Sequence, residues 1–316
     1  RRPPRSTPSN SSAASDVYKR QGERKRKKVE VVRWKLEDAE KGGYPHFMIK
    51  EIFEQPKVLR QILSHRIKSG HIVFENMGLN ITQLKNIKNI QVIACGTAYH
   101  AGLCGKYILE KLLKLPVNVD TSSEFRYRDQ IIKKGKTLII PVSQSGETAD
   151  TLASLRAAKD KGAKILSICN VVGSSIARES DGVIYTLAGP EIAVASTKAY
   201  TAQLVTFYIL GMYLAGIKGT TSKKEVLKLV KQIRQVPDLM DEVLRKQKKI
   251  QKVAHEYVER YHYRLAEQFK FLEDEIVQFK DAEKALHSLQ QELEIMRLVE
   301  RSINKIVVDS IINVFD

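Results

Sequence analysis

The sequence predicts an α/β fold: a three-layer αβα sandwich on a mainly five-stranded parallel sheet, preceded by a disordered basic tail and followed by a long helical tail. Two observations carry this. Between about Lys41 and Leu244, five short apolar runs alternate with segments of helical periodicity, the pattern of a parallel sheet covered on both faces. From Asp238 to Asp316 there is no Gly and no Pro, so nothing in that stretch stops a helix.

Taken in order, residues 1 to 28 carry ten basic and two acidic side chains among Ser, Pro and Arg. Such a segment cannot bury a core and is set aside from the fold. Residues 29 to 40 read as a linker, and 41 to 244 as the folded domain. Its first strand is Ile90 to Cys95, which ends in Gly96-Thr97-Ala98 and leads into a helix from Tyr99 to Leu113. Val117 to Thr121 is the next strand. Thr137 to Val142 follows, then the turn Ser143-Gln-Ser-Gly-Glu-Thr148 and a helix from Ala149 to Lys161. Ala163 to Cys169 and Gly182 to Thr186 complete the set. Tyr200 to Ala215 is apolar but shorter than the ~20 residues of a membrane span, and reads as a buried helix. From 245 to 316, apolar residues recur by threes and fours from Leu265 through Leu272, Leu286 and Leu293 to Ile306, the seam of a long amphipathic helix or coiled coil. Helical oligomerisation, folding back on the domain, and foreign sequence are three open readings of that tail.

The turn Ser143 to Thr148 holds the most chemistry. It joins a strand to a helix N-terminus, where unpaired N–H groups and the macrodipole favour an anion. Three hydroxyls and an amide side chain add donors. It does not match G-x-x-x-x-G-K-[ST], so a phosphorylated small molecule suits it better than a nucleoside triphosphate. The competing reading is an ordinary cap, with Ser145 or Thr148 satisfying backbone donors and no ligand. The Gly96-Thr97 turn, at the end of another parallel strand, would face the same crevice.

Several motifs together resemble a known family. Ala94-Cys-Gly-Thr-Ala98, Ser122-Ser-Glu-Phe-Arg-Tyr127, Ser143 to Thr151, Ile168-Cys-Asn170, Gly173-Ser-Ser175 and Glu191 to Lys198 are similar to the first sugar-isomerase (SIS) domain of the glucosamine-6-phosphate synthases, the isomerising glutamine:fructose-6-phosphate aminotransferases. Lys41 to Met48 and Glu51-Ile-Phe-Glu-Gln-Pro56 resemble the segment that opens the isomerase half of that family. The likeness runs from about Val29 to about Arg264. It implies that Ser143, Gln144, Ser145 and Thr148 hold the phosphoryl group of fructose 6-phosphate or glucosamine 6-phosphate, and that Thr97, the Val194 backbone and Ser196 hold sugar hydroxyls. Ala98 stands where some relatives carry a hydroxyl. Glu191 and Lys198 belong to the pattern, and read equally as charges that cap the helix starting near Ala199.

The family's reaction condenses ammonia from glutamine with fructose 6-phosphate and moves a proton from C1 to C2. The resemblance places its catalytic groups elsewhere: a nucleophilic cysteine in a glutaminase domain, and acid/base residues and a Schiff-base lysine in a second SIS domain. None has a counterpart in this sequence. The expectation is therefore an aminotransferase fragment of amino-sugar synthesis that anchors the ketose phosphate, has no catalytic residue of its own and does not turn over alone. The alternative is a non-catalytic sugar-phosphate-binding or sensing SIS module. A helical scaffold whose SIS domain only presents the tail is the third reading.

Composition bounds the partners. The net charge is +17, of which +8 lies in residues 1 to 28, +11 in Val29 to Met240 and −2 in the remainder. A basic balance around a phosphate site gathers anionic sugars without implying nucleic acid, which is not expected as a partner. Arg24-Lys-Arg-Lys-Lys28 could touch phosphate backbones or serve as a targeting signal, but reads first as linker sequence. Three cysteines without metal or disulfide spacing suit a reducing cytosol, and Cys95 reads as a small packing residue. No metal or organic cofactor is expected, because none of the seven histidines lies in a ligand-spaced cluster. A homo-oligomer is expected, and no membrane.

Overall fold

The structure, a computed structural model, describes residues 16–18, 24–26, 40–74, 77–278, 294 and 297. The chain divides into two compact units, Arg1–Trp34 and Lys35–Asp316. In the first, for which the sequence predicts a disordered tail, β1 (Asp16–Tyr18) pairs antiparallel with β2 (Arg24–Arg26). The rest of that unit lies outside the described residues.

The second unit opens with α1 (Phe47–Arg66), a two-residue hairpin of β3 (Ile67–Lys68) and β4 (His71–Ile72), and α2 (Ile81–Asn86), which is closed by a capping box between Asn80 and Gln83. The five predicted runs then form β5 (Asn89–Ala94), β6 (Val117–Thr121), β7 (Thr137–Ser143), β8 (Lys164–Cys169) and β9 (Gly182–Tyr185). They make one sheet in the order β6-β5-β7-β8-β9, with every pair parallel. Four helices connect them: α3 (Gly96–Leu113), α4 (Ser122–Tyr127), α5 (Ala149–Asp160) and α6 (Ser175–Glu179). The long α7 (Lys198–Lys218) follows β9.

Side chains alternate between the two faces of a strand, and both faces of this sheet are apolar. Val92, Ala94, Leu138, Ile140, Val142, Leu166 and Ile168 belong to the core shared with α1, α3 and α7. Their neighbours Ile93, Ile139, Ile165 and Cys169 belong to a second core with Phe125 of α4, Leu155 of α5 and Ile176 of α6. Pro141 lies inside β7, a central strand, where a missing N–H would normally be excluded. It is accommodated because the β7–β8 ladder passes from Ile139↔Ile165 to Val142↔Ile168 with no pairing between.

α7 is the one described helix long and apolar enough to cross a membrane. It is a core helix instead, with Ala202, Phe207, Ile209, Leu210 and Ala215 fully buried. It exceeds the predicted Tyr200 to Ala215 at both ends because its limits are set by groups outside the apolar pattern. Glu191 accepts hydrogen bonds from the first free N–H groups, and Gly219, at φ +67°, supplies the left-handed cap. α3 and α7 approach closely at Gly105, where an added Cβ would lie 2.6 Å from the Phe207 ring.

After α7, α8 (Lys223–Ile233) turns Val230 and Ile233 inward, and α9 (Val236–Leu244) lies on α1, with Arg60 bonded to both Asp238 and Asp241. α10 (Gln247–Gln278) is a 32-residue helix. Exposed Ile250, Val253, Tyr257 and Tyr261 follow one another along it at helical spacing. The predicted seam from Phe279 to Ile306 falls outside the described residues, as do the side chains of Leu272 and Ile276.

The Gly105–Phe207 contact makes a double-mutant cycle informative. Gly105→Ala gains about 1 kcal/mol of helix propensity but overpacks the ring, for a net loss of about 1–2 kcal/mol. Phe207→Ala should cost roughly 3–5 kcal/mol. In the Phe207→Ala background Gly105→Ala becomes neutral or stabilising, as denaturant unfolding of the four proteins would show; simple additivity would mean that the ring does not limit this crossing. Thiol reactivity gives a second check. Burial pushes the Cys169 thiol up to about 12, whereas Cys104 is exposed. Iodoacetamide at pH 8 should label Cys104 and leave Cys169 unmodified until the protein is unfolded, as read by peptide mass spectrometry.

Candidate functional site

The sheet register brings the strand ends together. Ala94 lies opposite Thr121 and Val142, Ser143 opposite Cys169, and Cys169 opposite Tyr185. All five carboxyl ends therefore lie along one edge, and the turns that follow them form one surface. The chain leaves β5 toward β6 on one side and β7 toward β8 on the other, so the turns after β5 and β7 part above two adjacent strands. That topological switch point opens the crevice in sheets of this order. Gly96-Thr97 and Ser143 to Thr148 are those two turns.

The β7–α5 turn is held by its own hydroxyls. Ser143, buried at the end of β7, accepts a hydrogen bond from the Gly146 N–H (2.9 Å) and shares one with Thr148 Oγ1 (3.0 Å). Ser145 Oγ accepts from the Glu147 N–H (3.2 Å). The capping reading is thus realised in part, yet donors remain. One hydrogen bridges Ser143 and Thr148, which leaves one of their two hydroxyl hydrogens free; Ser145 uses an acceptor site and keeps its hydrogen. Thr148 is the N-cap of α5 but makes no side-chain cap bond, so the first turn of this 12-residue helix is open. Gly146 has φ +66°, and a Cβ there would sit 2.0 Å from Ser174 Oγ. Only glycine fits this turn.

The carboxylates beside that helix end have partners. Glu147, next to it, accepts the Ser175 N–H at the start of α6 (2.7 Å). This bond holds the Glu147 carboxyl below the usual carboxylate range. Asp150, in the first turn of α5, is paired with Arg126 at 3.3 Å. Thr151, fully buried one residue on, bonds Ser122 Oγ at 2.9 Å and lies 4.0 Å from Cys95 Sγ, tying α5 to the ends of β5 and β6. Cys95, partly exposed just after β5, thus packs against α5.

A second arm comes from the segment after β9. From Thr186 to Thr197 it has no regular secondary structure, and one buried side chain organises its first half. Asn170 Oδ1 accepts from Thr186 Oγ1 and the Ala188 N–H, its Nδ2 donates to the Gly189 carbonyl, and its own N–H donates to the Gln144 carbonyl. The β7–α5 turn and this segment are thereby joined through one residue. Leu187, held between these bonds, has φ +57°, a strained conformation for a leucine. Further on, Glu191 accepts from Ser196 Oγ (3.0 Å) and from the Thr197 and Ala199 N–H groups, so it caps α7. Lys198 does not cap; it is buried and paired with Glu54 of α1 at 2.6 Å.

Of the sequence-predicted site residues, Ser143, Gln144, Ser145 and Thr148 occupy one continuous turn. Thr97 is exposed in the first turn of α3. Val194 has its side chain wholly in solvent, leaving its backbone as the usable part, and the Ser196 hydroxyl is engaged by Glu191. Among the described residues no hydrogen bond joins Thr97 or Val194 to the β7–α5 turn. Sequence reasoning quoted Asn170, Glu51 and Thr151 within motifs but gave them no role, because each acts on a partner distant in the chain. Among the described residues there is no group of three or more His, Cys, Asp or Glu able to hold a metal.

Comparisons with known proteins agree with this geometry. Residues 83–213 match the SIS domain. The chain is 51% identical over 244 residues to the isomerising glutamine–fructose-6-phosphate aminotransferase of Clostridium acetobutylicum, a match covering 77% of this chain and 40% of that protein. The Mycobacterium tuberculosis protein of the same name is 46% identical over 226 residues, covering 72% of this chain and 36% of the relative. Among solved structures, the C-terminal domain of glucosamine-fructose-6-phosphate aminotransferase from Francisella tularensis superposes with a TM-score of 0.64 at 38% identity, over 68% of this chain and 60% of that one. The chain thus spans about 40% of the length of such relatives, and what it carries is a SIS domain of the isomerising glutamine–fructose-6-phosphate aminotransferase family.

Proposed function

We propose that the crevice above β5 and β7 binds a hexose 6-phosphate, fructose 6-phosphate or glucosamine 6-phosphate, and that the chain is the substrate-anchoring part of an enzyme that makes glucosamine 6-phosphate. One observation carries this: the turn Ser143 to Thr148 retains free hydroxyl hydrogens beside the uncapped N-terminus of α5, with the neighbouring carboxylates of Glu147 and Asp150 bonded to Ser175 and Arg126. A dianionic phosphoryl group is what such a donor set complements. Gln144 adds a side-chain amide, while Thr97, the Val194 backbone and Ser196 line the adjoining edge for sugar hydroxyls.

The role proposed is anchoring rather than bond making. Ionisable groups of the turn and of the segment leading into α7 are already occupied: Glu147 by Ser175, Glu191 by α7, Lys198 by Glu54. Holding the phosphate fixes the carbonyl at the far end of the sugar through remote binding energy, and proton transfer between C1 and C2 falls to groups supplied by other domains of the enzyme. Oligomeric assembly and a cytoplasmic setting suit this reading, and the free thiols fit a reducing compartment.

Calorimetric titration tests the binding. Fructose 6-phosphate should bind and unphosphorylated fructose should not; equal binding of the two would reduce the turn to a structural cap. Ser145→Ala should weaken fructose 6-phosphate by about 1–3 kcal/mol, as for a hydrogen bond to a charged group. Ser145→Asp should abolish it by setting a like charge against the phosphate. Incubating the purified 316-residue chain with glutamine and fructose 6-phosphate should yield no glucosamine 6-phosphate by mass spectrometry; product that scales with the chain and not with host enzyme would show that it catalyses.

A further inference from the structure

We propose that Glu51 is a positioning residue for the sugar end of the crevice: from α1 it holds the segment Glu191 to Ser196 in the conformation that presents the Val194 backbone and Ser196 to a bound sugar phosphate. The role rests on the binding reading above.

Glu51 is 2% exposed, and its Oε1 accepts hydrogen bonds from two consecutive N–H groups, Ile192 (2.7 Å) and Ala193 (3.2 Å), 141 and 142 residues further along the chain. Two successive donors converging on one oxygen fix both peptide planes of a stretch that has no secondary structure to fix them. The Val194 side chain, next in the chain, is left wholly in solvent. The other carboxyl oxygen, Oε2, is buried with no hydrogen-bond partner among the described residues. An unsatisfied buried oxygen costs stability, so packing alone would favour an apolar side chain here; what the carboxyl contributes is its two-donor grip on the segment. Burial pushes its pKa above the ordinary range, with Glu191 adding to that effect and the two N–H groups and Lys198 opposing it.

The rest of α1's inner face serves the same stretch. Glu54 and Gln55 follow Glu51 at i+3 and i+4, hence on one side of the helix. Glu54 takes Lys198 and Gln55 Oε1 accepts from Thr201 Oγ1 (2.5 Å). Gln55 Nε2 also donates to the Ile52 carbonyl (3.0 Å), the acceptor that Pro56 inside α1 cannot serve. Three neighbouring side chains of one helix turn thus reach positions 192, 193, 198 and 201, the approach to α7 and its first turn.

The test separates the two ends of the ligand. The full chain as wild type, Glu51→Leu and Glu51→Gln is titrated with fructose 6-phosphate and with inorganic phosphate. Glu51→Leu should weaken fructose 6-phosphate by about tenfold or more while phosphate affinity stays within about twofold; Glu51→Gln, which keeps the acceptor oxygen, should restore fructose 6-phosphate to within about threefold of wild type. Equal losses for both ligands, no loss, or no rescue by Gln would overturn the role. Should Glu51→Leu fail to fold, amide exchange in the wild type decides: Ile192 and Ala193 must be protected as strongly as strand amides, and exchange at the free rate overturns the proposal. A wild-type chain that binds phosphate and fructose 6-phosphate equally refutes sugar recognition here, and this role with it, whereas a wild type that discriminates beside an unaffected Glu51→Leu refutes the role alone.

Discussion

A parallel sheet buried on both faces is the constraint on which everything else depends. Because helices cover each side, the strands are mostly apolar along their length, with Gln91 and Ser167 as buried exceptions, and hydroxyl groups concentrate in the turns at their ends. Because the strands are parallel, the helices return antiparallel to them, and the N-termini of α3 and α5 arrive at the same edge as the carboxyl ends of β5 and β7. The partial positive charge of a helix end and the turn hydroxyls therefore coincide without any feature designed at a distance. The order β6-β5-β7-β8-β9 then decides which two turns separate into a crevice.

Within that frame the β7–α5 turn is fixed in shape and still carries free donors. Its hydroxyl oxygens accept backbone N–H groups and so hold its shape, while hydroxyl hydrogens stay available. The capping reading and the ligand reading of the same serines are not rivals here, since they use different parts of the hydroxyl. Gly146 permits the left-handed step, and the contact of that step with Ser174 leaves no room for a side chain. Glu147, between Gly146 and Thr148, has its carboxylate engaged by the Ser175 N–H at the start of α6.

The opposite arm is built on a different principle. The segment after β9 lacks regular structure and takes its shape from side chains of other elements: Asn170 of the β8 end governs Thr186 to Gly189, and Glu51 of α1 governs Ile192 and Ala193. The strained backbone at Leu187 persists because the bonds on both sides leave it no alternative. Such a segment is only as well placed as the scaffold beneath it, and α1, outside the sheet, is part of that scaffold.

By itself the sequence determined the features that depend on near neighbours in the chain. Apolar runs of strand length, helical periodicity between them and a hydroxyl-rich turn at a strand–helix junction are local patterns, and they were enough to place all five strands, the fold class and the β7–α5 turn. The apolar pattern alone understated α7, because Glu191 and Gly219 set its ends through a side-chain cap and a left-handed residue. Only the tertiary structure decided that Pro141 fits a central strand through a gap in one ladder, that Lys198 turns to Glu54 while Glu191 caps, and that Glu51 reaches residues 141 positions away. Those outcomes depend on which elements pack side by side, and a hydrogen bond between distant residues leaves no periodicity at either end from which it could be read.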